Sequence, residues 1–174
     1  MRRIKFKGYG VVLPKNTVSF KDHIRYRISE GETQLQLAVA ACEKALKNSN
    51  ISINDIDCIV SASAVGVQPI PCMAALIHEK IAKGTSIPAL DINSTCTSFI
   101  TALDTMSYLL EAGRYKRVLI VSCDVASSAL NPNQKESFQL FSDGAVAFVV
   151  EKSDEEVGII DSTLKTWSEG AHST

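Results

Sequence analysis

The sequence has no apolar run approaching the ~20 residues that a membrane-spanning helix needs. Its basic opening, residues 1–7, is not followed by the apolar stretch of a secretory signal. The three histidines, His23, His78 and His172, are scattered. No two of the five cysteines, Cys42, Cys58, Cys72, Cys96 and Cys123, form a C-x-x-C pair. Neither a metal site nor a redox motif is expected. An odd cysteine count without a secretory signal argues for a reducing compartment, the cytoplasm. Charge of one sign is also missing. Lys and Arg number 18 against 19 Asp and Glu, a net charge of −1. That balance gives no reason to expect nucleic acid, a membrane or an acidic surface as partner. There are no internal repeats, low-complexity segments or linkers, and the only tryptophan is Trp167.

What is present is an ordinary globular balance. The 174 residues are 45% hydrophobic and 21% charged, enough for one domain with a sizeable core. Residues 4–13 alternate and then become continuously apolar, a strand that starts half exposed and ends buried. Residues 19–29 hold His23, Arg25 and Arg27 close together. They read either as a solvated connection or as a contact for an anionic carrier or phosphate, through arginine's fork of donors. Thr33 and Gln36 have the spacing of a capping box, and Leu35, Ala38, Val39, Cys42 and Leu46 mark one face of the helix that follows.

Further strands are expected over 56–64, 86–93, 117–124, 145–151 and 157–165, and a helix over 73–83 with Leu76 and Ile77 buried. Residues 117–124 form the continuous β-branched run of a strand buried on both faces. A helix after Cys96 carries Phe99, Leu103, Met106 and Leu110 on one face and stops at Gly113. No helical pattern is clear between Ala126 and Gly144, which leaves the next strand free to run antiparallel. The tail from Ser168 is expected to fray. Alternating strands and helices predict a mainly parallel sheet with helices on both faces.

Two cysteines stand near predicted helix starts: Cys72, directly after Pro71, and Cys96. The first N–H groups of a helix lack backbone partners, and the dipole is positive there. Both effects favour thiolate over thiol and suit a nucleophile, and the N–H groups suit an oxyanion. Cys96 is better placed, because sites in such sheets gather at the carboxyl ends of strands. The bland alternative is a small packing residue among turn-forming Ser, Thr and Asn. Cys42, Cys58 and Cys123 read as core.

Three segments then carry a resemblance. Asp91-Ile92-Asn93-Ser94-Thr95-Cys96-Thr97-Ser98-Phe99 is similar to the nucleophile segment of the ketoacyl synthase III family of the thiolase superfamily, with its Asp five residues before the cysteine and its Phe three after. Phe141-Ser142-Asp143-Gly144-Ala145-Val146-Ala147 resembles the family's F-G-D-G-A-x-A turn, with Ser142 where Gly is usual. Pro71, at a helix start 25 residues before Cys96, also fits.

The resemblance implies the thiolase fold, built of two similar halves. Residues 1–174 would be the N-terminal half as a single α/β domain, with the C-terminal half absent. Its sheet would be five-stranded and mixed, in the order 3-2-1-4-5 with strand 5 antiparallel, and helices on both faces. The activity implied is decarboxylative Claisen condensation in fatty acid or secondary metabolism. Cys96 would take an acyl group from a thioester, and the carbanion from a malonyl thioester would attack it. The assisting His and Asn belong to the other half, and His23, His78 and His172 match neither, so this chain alone is expected to be inactive.

No cofactor is implied; coenzyme A or acyl carrier protein carries the substrate. Ile70 matches a position that reaches across a homodimer into the partner's acyl pocket, and Phe141 is placed at the substrate pocket. Where the family has a segment that clamps the coenzyme nucleotide with Trp and Arg, the matching segment here, around residues 23–27, has Arg25 and Arg27 but no Trp, which turns attention to a carrier-bound donor. Related readings are acyl transfer without condensation, condensation of the hydroxymethylglutaryl or olefin-forming type, and a non-catalytic partner subunit.

Overall fold

A computed structural model of the chain describes residues 1–172. The strands are β1 (Ile4–Val12), β2 (Asn16–Phe20), β3 (His23–Arg27), β4 (Cys58–Ser61), β5 (Ala89–Asp91), β6 (Arg117–Asp124) and β7 (Gly144–Lys152). The helices are α1 (Gln34–Ser49), α2 (Met73–Ile81), α3 (Ser98–Glu111) and the short α4 (Lys135–Leu140). Five strands form one mixed sheet in the order β1-β7-β6-β4-β5. β4 is parallel to β5 and β6, while β7 is antiparallel to both of its neighbours.

This is the α/β thiolase-like sheet that the resemblance implied, with the fifth sheet strand antiparallel, but the predicted order needs correction. Counting only the five sheet strands in chain order, it is 3-2-4-5-1, not 3-2-1-4-5. The first strand lies at an edge, not in the centre. A central strand must be apolar on both faces. β6 meets that demand, with Val118, Leu119, Ile120 and Val121 all buried. β1 carries Lys5 and Lys7 and pairs only with β7, from Ile4↔Lys152 to Val12↔Ala145.

Helices cover the sheet unequally. α1 and α2 pack on one face, against Ile59, Leu119, Val121, Ala147 and Val149. The predicted capping box starts α1: the Thr33 side chain accepts from the Gln36 N–H, and the Gln36 side chain accepts from the Thr33 N–H. α1 comes so close to β1 that a Cβ on Gly10 would lie 2.3 Å from the Ala41 carbonyl oxygen, which only glycine avoids. From α1, Lys44 Nζ donates to the Val11 carbonyl at 3.0 Å and Asn48 Nδ2 to the Tyr9 carbonyl at 2.8 Å. Both carbonyls belong to the edge strand, so side chains occupy positions that a further strand would use. On the other face α3 buries Met106 and Leu110 against Val60, Val118 and Ile120, leaving Phe6, Tyr9, Val11 and Leu13 of the β1 side exposed.

Three further expectations are corrected. Residues 19–29 are no irregular connection: β2 and β3 pair antiparallel as a hairpin, from Asn16↔Arg27 to Phe20↔His23. The strand expected over 157–165 reduces to one bridge, Arg2↔Ile159. Beyond it the chain leaves the sheet and lies over α3, where Asp161–Leu164 line a cavity with Ile100 and Leu103. Arg2 fixes that path, donating to Ser162 Oγ at 2.9 Å while its guanidinium pairs with Asp104. The connection read as irregular, 126–144, contains α4. Residues 168–170 of the tail form a single 3-10 turn; the last two residues of the tail lie outside the described residues.

Candidate active site

The carboxyl ends of β4, β5 and β6 and the turn before β7 meet at one end of the sheet. Cys96 lies there, exposed, between β5 and α3, as the sequence predicts. A cavity of about 430 Å³ opens beside it, lined by Ala64, Val65, Asp124, Val125, Ala126 and Phe141. Apart from Cys96 and Asp124 this lining is apolar, a surface for a hydrocarbon group rather than a charged one.

The turn that presents Cys96 is strained and held. Thr95 has φ +50, a left-handed conformation that β-branched residues rarely adopt. Such outliers persist only where the surroundings fix them. Here Asn93 Oδ1 accepts from the Thr95 N–H at 2.9 Å. The buried Ser98 hydroxyl accepts from the Ser94 N–H at 2.9 Å and donates to the Thr95 carbonyl at 2.6 Å. At the start of α3, Thr97 makes no side-chain capping bond. The helix start beside Cys96 therefore has no N-cap side-chain acceptor, while the Thr97 and Ser98 N–H groups donate to the Ser94 and Thr95 carbonyls at 3.1 Å.

The second cysteine candidate is set differently. Cys72 is half-buried at the N-cap of α2, whose first N–H groups are already taken. Asp91 accepts from the Met73 N–H at 2.9 Å and from the Ala74 N–H at 2.8 Å. A carboxylate there satisfies the helix start. Asp91, five residues before Cys96, thus fastens β5 to α2. Cys42, Cys58 and Cys123 are buried, as predicted. Burial pushes all three thiols upward, Cys123 to about 12, where Asp124 and Asp143 add to the effect.

The remaining predicted residues divide. Phe141 lines the cavity with Cys96. Ile70 is 86% exposed and is not part of that lining. Arg27 is buried, with its guanidinium donating to the Phe138 and Phe141 carbonyls and stacking 5.4 Å above the Phe138 ring. It fastens the hairpin to the segment that carries Phe141 and does not face solvent. Arg25 donates from Nε to the Gln139 and Leu140 carbonyls at 2.9 and 2.8 Å. Ser142, at a position where Gly is usual, uses its hydroxyl to accept from the Tyr26 N–H at 2.8 Å. None of His23, His78 and His172 lines the cavity. Among the described residues no cluster of His, Cys, Asp and Glu is placed to hold a metal, and no helix is long and apolar enough to cross a membrane.

Asp143 is the hub beneath the Phe141 turn. Its carboxylate accepts from the Ile28 and Ser127 N–H groups at 2.9 and 3.0 Å and from the Ser127 hydroxyl. The residue is 1% exposed. Asp143→Ala is expected to leave both N–H groups without their acceptor and to lower stability by about 3 kcal/mol or more, readable as a lower urea midpoint. A midpoint within error of wild type would show that water replaces the carboxylate freely.

Sequence reasoning missed Asn93, Asp124 and Gln34 as parts of the site. Asp124 Oδ1 accepts from the Ala64 and Val65 N–H groups at 2.8 and 3.1 Å. Gln34 Nε2 donates to the Val65 carbonyl at 2.6 Å. The available signal was position, since Asp124 ends the central strand and Asn93 lies just beyond β5.

A five-stranded mixed sheet between helices, with a cysteine at the carboxyl end of β5, defines a domain of the thiolase-like class. Comparison with known proteins narrows that class. Residues 90–168 match the family model described as 3-oxoacyl-[acyl-carrier-protein (ACP)] synthase III. The beta-ketoacyl-[acyl-carrier-protein] synthase III of Neisseria gonorrhoeae is 31% identical over 183 residues, covering 95% of this chain and 57% of the relative. That of Clostridium perfringens is 34% identical over 176 residues, covering 91% and 54%. The 3-oxoacyl-[acyl-carrier-protein] synthase III structure from Aquifex aeolicus superposes with a TM-score of 0.83 at 29% identity, over 88% of this chain and 55% of that one. The chain belongs to the ketoacyl synthase III family. It spans a little over half the length of these relatives.

Proposed function

We propose that residues 1–174 are the N-terminal thiolase-like half of a ketoacyl synthase III-like condensing enzyme, and that Cys96 is its acyl acceptor. The observation that carries this reading is the exposed Cys96 on a strained turn beside an apolar cavity. The Cys96 thiolate attacks the carbonyl carbon of an acyl thioester, the carbonyl oxygen becomes an oxyanion at the start of α3, and collapse expels the carrier thiolate. The acyl chain then lies among Val65, Val125, Ala126 and Phe141. In the second half-reaction a malonyl thioester loses carbon dioxide. Its carbanion attacks the acyl carbon and releases Cys96. Groups for the decarboxylation are not supplied by the histidines of this chain, which lie elsewhere. The donor is a coenzyme A or acyl carrier protein thioester, and the free, largely buried thiols suit the reducing cytoplasm. Incubation with acyl thioesters and intact-mass analysis tests the first half-reaction; a chain that gains no acyl mass on Cys96 would refute it.

The proposed assembly is a two-fold homodimer through β5. That strand is a sheet edge of three residues, with Leu90 36% exposed and Ile92 half-buried beyond it. Two-fold pairing uses one patch on both subunits. Leu90→Lys is expected to shift sedimentation at micromolar concentration from dimer towards monomer. A dimer untouched by this change would move the interface to another surface.

A further inference from the structure

Asn93 is exposed, yet its amide joins the two sides of the site. Its Nδ2 donates to the Ala64 carbonyl at 2.8 Å, and its Oδ1 accepts from the Thr95 N–H at 2.9 Å. Only this orientation of the amide serves both bonds, since the reverse would set donor against donor and acceptor against acceptor. Ala64 and Val65 form one wall of the cavity. That wall is also held by Asp124, itself a lining residue, and by Gln34. Thr95, with its left-handed backbone, sets where Cys96 stands. One side chain therefore ties the seat of the nucleophile to the wall that limits what fits beside it.

We propose that Asn93 is a positioning residue that couples the reach of Cys96 to the width of the cavity, so that the site selects acyl groups by chain length. The inference rests on the reading of Cys96 as acyl acceptor. If the wall moves, longer chains gain room; if the Thr95 turn relaxes, the sulfur loses its fixed position. Removing Asn93 does both at once.

The test is alkylthiolation of Cys96 in the 174-residue chain by methyl to octyl methanethiosulfonates, followed by intact mass and peptide mapping. The thiolate attacks the sulfenyl sulfur, a disulfide forms, methanesulfinate leaves and the thiol proton goes to solvent. Wild type should show an octyl-to-methyl rate ratio distinct from that of free cysteine. Asn93→Ala should bring the ratio towards the free-cysteine value and slow the methyl reagent about fivefold, the scale of one net hydrogen bond lost. Asn93→Asp keeps the acceptor for Thr95 but sets an oxygen against the Ala64 carbonyl. It should recover much of the methyl rate without recovering the ratio.

Cys42, Cys58 and Cys123 report folding, because they are buried in the intact chain. Should they react in Asn93→Ala, Asn93→Asp alone decides. A wild-type ratio in the folded variants, or a free-cysteine ratio in wild type, overturns the coupling. Acyl thioesters of the same lengths separate the two readings. Shifted alkyl ratios with no acylation of wild-type Cys96 would remove the acyl-transfer role. Acylation with unchanged ratios would keep the acceptor and remove Asn93 from its control.

Discussion

Cys96→Ala is expected to abolish covalent acylation of the chain by acyl thioesters, with no loss of fold. The side chain is exposed, and the turn around it is held by Asn93 and Ser98 rather than by the sulfur, so little stability depends on it. Removing a nucleophile eliminates the covalent intermediate, an effect on the order of 10³-fold or more on any turnover that depends on it. Intact mass should show one acyl group on wild type and none on the variant. Persistent acylation of the folded variant would transfer the acceptor role to another residue, with half-buried Cys72 the next to map. Wild type should also fail to condense acyl and malonyl thioesters by itself, because His23, His78 and His172 lie outside the Cys96 cavity. Condensation by the purified chain, abolished by Cys96→Ala, would require a decarboxylating group within these residues.

The second large effect concerns the other thiols. At pH 8, iodoacetamide should label Cys96 far faster than Cys42, Cys58 or Cys123. A thiol pushed up to about 12, as at Cys123, carries roughly three orders of magnitude less thiolate than one of ordinary acidity, and burial slows access further. Cys42 is displaced in the same direction, chiefly by burial and then by Cys123 beside it. The sign for stability follows. A folded-state pKa above the unfolded value means that the folded chain binds the proton more tightly. That contribution is complete below about pH 8.5, the unfolded thiol value, and is lost as pH rises towards the folded values. Alkaline titration followed by circular dichroism should show stability falling from about pH 8.5 upward. Rapid labelling of Cys123 in a chain that keeps its circular dichroism would contradict both the burial and the protection.

Much of this site was legible because its signals are local. The apolar run into Asp91, the small polar turn and the apolar spacing after Phe99 place Cys96 between a strand and a helix without reference to the rest of the chain. The capping box at Thr33 was equally local. Neighbours in the sheet were not. Alternation in residues 4–13 marks a strand but not its partner, and the edge position of β1 depends on pairing with β7 from the other end of the chain. The hairpin was hidden for a related reason. His23, Arg25 and Arg27 look solvated until Phe138 and Phe141 supply the carbonyls that bury Arg27. Asn93 reads as a turn residue and Asp124 as the end of a strand, because side-chain bonds to a distant backbone leave no periodic trace.

The Lys44 and Asn48 bonds to the Val11 and Tyr9 carbonyls also limit how the sheet can grow. A sheet with two open borders has a valence of two and can add copies without end. Here α1 occupies one border with its own side chains, and only the short β5 border remains able to join. The sheet is in effect monovalent. In the proposed homodimer, joining β5 to β5 uses up that valence and leaves the two borders covered by Lys44 and Asn48 facing outward, so that edge association through this sheet would end at a pair rather than propagate into a fibre.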